Sequence, residues 1–322
     1  MEDVRQLLFE AGRLPERLDR FLTECLPELT RSQIKKLIDN GHVRLDGAAV
    51  KASSRLKGGE TLEVVIPDAA PAKALPEAIP LHILYEDRHL VVVDKPAGLV
   101  VHPAPGHGGG TLVNALLYHC TDLSGVGGEL RPGIVHRLDK DTSGAMLATK
   151  NDLAHNHLAG QFKAHTITRR YIALVHGIVQ KETGTVDRPI GRHPVHRKKM
   201  SGRSRAGRRA ITHWRVLRRY DQDKLSLMEM TLETGRTHQI RVHLSEEGMP
   251  IVGDPVYGNP GRASSVADPK LRALLLGLGR QALHARLLGF VHPASGDYME
   301  FESPPPPDLG AILNYLDAKY KE

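Results

Sequence analysis

His136-Arg137-Leu138-Asp139-Lys140-Asp141-Thr142-Ser143-Gly144 sets two cations and two carboxylates around one leucine. The stretch lies between Pro132-Gly133 and the glycine that ends it. A strand avoids such charge density, and a plain surface turn seldom needs it. Read by composition alone, it is equally a solvated loop with local ion pairs, each worth ~0–1 kcal/mol. The order of its residues, together with a second segment, Leu232-Glu233-Thr234-Gly235-Arg236-Thr237-His238-Gln239-Ile240-Arg241-Val242-His243, carries the reading further.

The rest of the chain bounds what those segments do. Its 322 residues imply two or three domains. Hydrophobic content of 40% and charged content of 25% are ordinary for a globular protein with a real core. The net charge of +7 and a pI near 9.4 favour a polyanionic partner, either nucleic acid or an anionic membrane surface. Cys25 and Cys120, far apart among apolar neighbours, read as free thiols in a reducing compartment. No apolar stretch approaches the ~18 residues of a membrane helix. The acids near the N-terminus do not fit a signal peptide, so the cytoplasm is the expected location. Five Phe, one Trp and eight Tyr are too few for a stacking platform of the single-strand-binding kind.

Along the chain, Leu18, Phe21, Leu22, Cys25 and Leu26 fall at helical spacing, and Pro27 stops that helix. A second helix is expected from Thr30, capped by its hydroxyl with Gln33 reaching back. It buries Ile34, Leu37 and Ile38, keeps Arg31, Lys35 and Lys36 outside, and ends at Asn40-Gly41. Short strands are expected at His42 to Leu45 and Thr61 to Ile66, with a turn at Asp46-Gly47. The Ala/Pro-rich stretch 68–80 reads as a semi-rigid linker. Beyond it, Val91-Val92-Val93 predicts a strand buried on both faces. Thr111 and Asn151 are candidate helix caps, the second for a helix with Leu153, Ala154, His157, Leu158 and Phe162 on one side. Tyr171 to Val175 is strand-like. Leu225 and Leu227, then Met228, Met230 and Leu232, change face once and predict a β-bulge. Thr237 is expected to open a short helix through Glu247, stopped by Gly248. Pro304 to Pro307 ends the body, and a short amphipathic tail follows. Strands and helices do not alternate regularly, which predicts α+β architecture with a mixed or antiparallel sheet.

The two segments and Tyr171 resemble the large-subunit ribosomal RNA pseudouridine synthases, most closely the D-type branch with an S4-like RNA-binding domain at its N-terminus. The helix pair with a basic second helix, followed by the Gly41 to Gly47 stretch, is similar to that S4 domain. The resemblance spans roughly 14–302. It implies an S4-like domain over 14–75, with 68–80 as linker, a catalytic domain over 81–302 and a C-terminal tail over 303–322. The implied reaction breaks the C1′–N1 bond of a uridine, turns the freed uracil and rejoins it to the ribose through C5. The implied target is the helix 69 stem-loop of 23S ribosomal RNA, free or in a pre-ribosomal particle, and a monomer is expected.

By position, Asp139 matches the family's catalytic aspartate, acting either as a nucleophile at C1′ or as the base that removes the C2′ proton. Burial of an aspartate favours its neutral form, and an adjacent arginine opposes this. The resemblance supplies that arginine as Arg241, so an Asp139–Arg241 ion pair is expected. Tyr171 matches the active-site tyrosine, its ring against the uracil and its hydroxyl placed to take part in C5 deprotonation. Taken alone, it reads equally as a core tyrosine. Arg137 matches the residue that enters the RNA stack where the target base leaves, and Ile240 the apolar residue that packs on the base.

No metal, nucleotide or redox cofactor is required. Gly106 to Thr111 lacks the Lys-Ser/Thr ending of a phosphate loop, and His155-Asn156-His157 lacks the spaced partners of a metal site. The basic run from His196 to Arg209, with Arg197, Lys198 and Lys199 at its head, reads as a phosphate contact that adds affinity more than sequence choice. Rival readings are a non-catalytic RNA-binding assembly factor, the same chemistry on another ribosomal or transfer RNA site, and a glycosylase that releases free uracil.

Overall fold

The computed structural model describes residues 3–26, 31–66, 74–103, 108–120, 123, 132–196, 199–204 and 206–321. The chain divides into two units, Met1–Ala72 and Lys73–Glu322.

In the first unit the apolar stripe forms the helix Leu18–Cys25, burying Leu18, Phe21 and Leu22. Arg31–Asp39 is the second helix and buries Ile34 and Ile38 in the same core. The expected Thr30–Gln33 cap lies outside the described residues, as do the side chains of Arg31 and Lys36. Gly41 ends the helix at φ +78°. Asp46 and Gly47, at φ +48° and +81°, make the tight turn between strands Val43–Leu45 and Ala48–Ala49. Positive φ at both central positions suits the right-handed twist of paired strands. Strand Thr61–Ile66 pairs antiparallel with Val43–Leu45 on one side and with Asp3–Leu8 on the other. That last strand lies upstream of Leu14, where sequence reading began the unit. Val4 and Leu8 are more than half exposed, so no buried face announced it.

The second unit is built on a nine-stranded mixed sheet. Its order is Thr183–Asp187, Ile211–Tyr220, Leu225–Leu232, Thr168–His176, Leu283–Val291, Ser143–Thr149, Leu90–Lys95 and His82–Glu86, with Tyr298–Glu302 pairing Leu283–Val291. The contact of Ser143–Thr149 with Leu283–Val291 is the parallel one. There Gly144 sits at φ +119°, and a Cβ would come 2.2 Å from the Ala285 carbonyl oxygen. Only glycine lets the chain leave the charged segment and enter the sheet this closely.

The triple valine is covered on both sides, as its lack of alternation requires. Val91 and Val93 face the main core with Leu112, Leu116 and Met146. Val92 faces a second layer with Leu147, Leu158 and Phe290. Full burial of each side chain contributes ~1.5–3 kcal/mol. The helices above these faces are locally specified. Thr111 and Asn114 form a capping box at the start of Leu112–His119, and the Asn151 side chain accepts the Ala154 N–H at the start of Asp152–Ala164. In that helix Ala154 and Leu158 are buried, whereas Leu153 is 59% exposed.

Three expectations change. The bulge exists, but its extra residue is Leu217 on the neighbouring strand, between Val216 and Arg218; Leu225–Leu232 itself pairs regularly with Thr168–His176. The short helix runs Gln239–Glu246, with His238 rather than Thr237 at its N-cap. Gln239 ties the turn before the helix to the sheet: its oxygen accepts from Arg236 N and Thr234 Oγ1, and its nitrogen donates to Ile211 O and Thr212 Oγ1. Finally, the C-terminal segment is not an appendage. Helix Pro307–Lys319 places Leu309, Ile312, Leu313 and Leu316 in the main core.

Candidate active site

Three pieces of chain meet at one cavity of about 580 Å³. The charged segment supplies Arg137 and Asp139 from the loop before Ser143–Thr149. Strand Thr168–His176 supplies Tyr171, and the helix Gln239–Glu246 supplies Ile240 and Arg241. Arg137 is exposed at the cavity wall, while Tyr171 and Ile240 are buried. Asp139 and Arg241 are joined, Nη1 donating to Oδ2 at 3.0 Å.

Arg241 is held by more than Asp139. Its Nε and Nη2 fork onto Asp254 at 2.7 and 2.9 Å, and its guanidinium lies over the Tyr257 ring at 5.1 Å. Asp254 Oδ1 also accepts the N–H groups of Val256 and Tyr257. Burial pushes the Asp254 carboxyl up, but the Arg241 fork and these N–H groups outweigh it and hold the carboxyl below its usual range. Burial likewise disfavours the Arg241 cation, but the hydrogen bonds and charges of Asp254 and Asp139 outweigh it and raise its proton affinity. The guanidinium therefore stays charged.

The loop bearing Asp139 is fastened from below. Lys95 is fully buried and donates from Nζ to the carbonyls of Pro96, Leu99 and Lys140 at 2.8, 2.9 and 2.9 Å. Burial pulls its ammonium down to about 7, with Asp141 and Asp139 opposing. Arg280 forks onto Asp308 and donates to the Asp141 carbonyl. On the other side His136 stacks on Phe162, with ring centroids 4.7 Å apart, and the Arg169 guanidinium lies over the same Phe162 ring at 5.5 Å. His136 Nε2 accepts the Leu147 N–H, and burial with Arg169 nearby lowers its pKa to about 3. Arg169 donates to the carbonyls of Leu232 and Glu233, tying the second segment to the same strand that carries Tyr171.

Burial raises the Tyr171 phenol above its usual range, Arg169 opposing and Asp139 adding to the rise. The group therefore keeps its proton at neutral pH. The cavity offers one carboxylate beside a fixed cation, a protonated phenol and an apolar wall. This equips it to act on a sugar–base unit within a polyanion.

Lys95, Arg169, Asp254 and Tyr257 escaped the sequence reading, and His136 and His238 stood in its two motifs without a role. The one local signal was Lys95 itself, a cation closing a mostly apolar strand, where burial demands partners. Of the proposed phosphate contacts, Lys35 is exposed and paired with Asp39, and Lys199 is half-buried and does not line the cavity. Arg197 and Lys198 lie outside the described residues. Arg208, from the same basic run, does line the cavity. Among the described residues, one group with metal-ligating types occurs, Glu86, His119 and Cys120. None of the three lines the cavity, and Glu86 is already paired with His119 and Lys150. Neither Cys25 nor Cys120 is in a disulfide.

The chain belongs to the RNA pseudouridine synthase family. Residues 89–246 match the family model for RNA pseudouridylate synthases, and residues 16–62 match that for the S4 domain. It is 46% identical to the uncharacterized RNA pseudouridine synthase YlyB of Bacillus subtilis over 94% of both chains. It is also 46% identical to the ribosomal large subunit pseudouridine synthase D of Pseudomonas aeruginosa, over 98% of this chain and 96% of that one. Among solved structures, human RNA pseudouridylate synthase domain containing 1 superimposes with a TM-score of 0.55 at 28% identity, covering 73% of this chain and 89% of its own. No described helix is long and apolar enough to cross a membrane.

Proposed function

We propose that this enzyme isomerises uridines of large-subunit (23S) ribosomal RNA, with the helix 69 stem-loop as its target and Asp139 as its catalytic group. The observation that carries the reading is the Asp139–Arg241 contact at the wall of a cavity also lined by Tyr171, Ile240 and Arg137. The carboxylate is 16% exposed, open enough to meet a ribose and sheltered enough to limit hydrolysis. Arg241, pinned by Asp254, holds the carboxylate in place without enclosing it. Either route uses the same carboxylate: attack at C1′ gives an ester, and removal of the C2′ proton gives a glycal.

Arg137 fills the gap that the extruded base leaves in the RNA, at the exposed rim where a guanidinium can stack. Ile240 and the Tyr171 ring hold the uracil while it turns. The phenol's hold on its proton favours the ring over a phenolate base as the working part of Tyr171. Arg31, Lys35 and Lys36 of the S4 unit, and Arg197, Lys198 and Lys199 of the basic run, add phosphate affinity. Large-subunit specificity is supported by relatives named as synthase D of the large ribosomal subunit. A monomer is the expected form, and the cytoplasm its expected workplace.

The test is carbodiimide primer extension on a helix 69 stem-loop transcript and on whole large-subunit RNA, with the enzyme and with Asp139→Ala. New stops in the stem-loop that require Asp139 are expected. Stops elsewhere reassign the target, and free uracil without pseudouridine would make the protein a glycosylase.

A further inference from the structure

We propose that His238 and Tyr257 form a pre-set hydrogen-bond donor for the target base. In this arrangement the Tyr257 hydroxyl holds the His238 imidazole in the tautomer protonated at Nε2, and that N–H serves a carbonyl oxygen of the uracil that Asp139 detaches. The inference rests on the reading of Asp139 as the group that detaches uracil from a uridine.

The hydrogen bonds assign the tautomer. Tyr257 Oη has two partners, Met200 N and His238 Nδ1, each at 2.8 Å. A backbone N–H can only donate, so the phenol oxygen is the acceptor toward Met200. The phenol has one proton of its own, and among the described residues its acceptor is Nδ1 of His238. Nδ1 is then an acceptor, and the ring proton of a neutral imidazole sits on Nε2.

His238 is also placed for such a role. It lines the cavity with Asp139, Arg241 and Ile240. Its backbone is left-handed, φ +57°, a conformation that costs energy for a residue with a side chain. No side-chain capping bond at the helix start offsets that cost. Burial favours a neutral ring; Asp139 and Asp254 oppose this, and Arg241 and Arg137 support it. Tyr257 faces the same group of charges and keeps its own proton, because burial raises its phenol.

Chemistry explains why a neutral donor suits this position. When the C1′–N1 bond breaks, its electron pair leaves with the uracil. The negative charge spreads over N1, O2 and O4 until C5 bonds to C1′, which in the ester route breaks the bond to Asp139; the C5 proton then passes to water and N1 takes one up, so the product is neutral. A fixed N–H at one carbonyl oxygen is worth more at that stage than in the bound uridine. An imidazolium would compete for Asp139 and weaken it, whereas a neutral imidazole polarises the carbonyl without doing so. Tyr257 acts through His238 and is a positioning residue. Because the same ring lies against Arg241, it aligns the donor and the cation of the site together.

The test combines single-turnover rates on a large-subunit ribosomal RNA transcript with 15N NMR of the histidines in the free enzyme. His238→Ala should slow turnover about 100-fold, with RNA affinity changed less than about threefold. His238→Gln, which retains an N–H donor, should recover most of that rate. Tyr257→Phe keeps the ring over Arg241 and should slow turnover about tenfold. The His238 signals should show a proton on Nε2 and none on Nδ1, and Tyr257→Phe should mix the tautomers. A proton on Nδ1 in the wild-type enzyme, a wild-type rate in His238→Ala, or equal losses in the Ala and Gln variants would each overturn the proposal. A wild-type enzyme that leaves uridine untouched removes its foundation instead, and that result is read separately from the tautomer.

Discussion

Arg241 and Asp254 form a buried two-point fork, 2.7 and 2.9 Å long, on the same guanidinium that reaches Asp139 at 3.0 Å. Asp254 side-chain exposure is 0%, against 16% for Asp139. One aspartate is therefore an anchor and the other opens to the cavity.

The two carboxylates should separate stability from activity. Asp254→Ala leaves Arg241 buried with a single charge partner and should cost about 3–5 kcal/mol in urea unfolding. Asp139→Ala leaves the fork intact and should cost under about 1 kcal/mol while abolishing pseudouridine formation and sparing RNA affinity. Comparable destabilisation by both changes would mean that Arg241 is not held by Asp254.

Lys95→Met should act at a distance. The methionine fills much the same space but strips the carbonyls of Pro96 and Leu99 of their Nζ donor; Lys140 O keeps the Gly98 N–H. A destabilisation of about 2–4 kcal/mol is expected from unpaired buried carbonyls. Turnover should fall with it, because Lys140 adjoins Asp139. Unchanged thermal unfolding would rule out the fastening role.

Stability should decline on the acid side. In the fold, burial with Arg169 nearby brings His136 to about 3, and burial with Arg262 nearby brings His176 to about 4. In the unfolded chain both protonate near ~6.5. Between these values the unfolded state binds more protons, so this stability is complete above about 6.5 and is lost as pH falls toward about 3–4. Thermal midpoints measured from about pH 7.5 down to about pH 4.5 should fall, less steeply in His136→Gln. A flat profile would show that neither ring is held neutral.

RNA affinity should follow counterion release. Removing residues 1–72 should weaken binding to large-subunit RNA. It should also lower the slope of log affinity against log salt by about 0.7–0.9 for every phosphate that the S4 unit neutralises. An identical slope would mean that the S4 unit touches no phosphate.

Where local chemistry decides structure, the sequence was legible. Thr111 and Asn151 cap their helices because the capping groups lie within one turn of the N–H groups they serve. The triple valine is buried on both faces because it has no polar alternation to turn outward. Asp139 and Arg241 were paired through two motifs 102 residues apart. The strand Asp3–Leu8 escaped because its place depends on main-chain hydrogen bonds to Thr61–Ile66, which half-exposed side chains do not advertise. The change of apolar face along Leu225–Leu232 needed no extra residue in that strand; the extra residue is Leu217 of its neighbour, where the sequence reading did not look.

The chemical class and the main residues that meet at the cavity were implied by the resemblance of short ordered motifs to a known family, and many helices and strands by apolar periodicity, all of them properties of the chain alone. What holds those residues in place is a matter of folding in three dimensions. Asp254, Lys95, His136 and Tyr257 find their partners across sheet and loop, where burial forces each polar group to a partner that chain closure brings near. The tautomer assigned to His238 has the same origin: it depends on Met200, far upstream in the chain, occupying one side of a tyrosine hydroxyl.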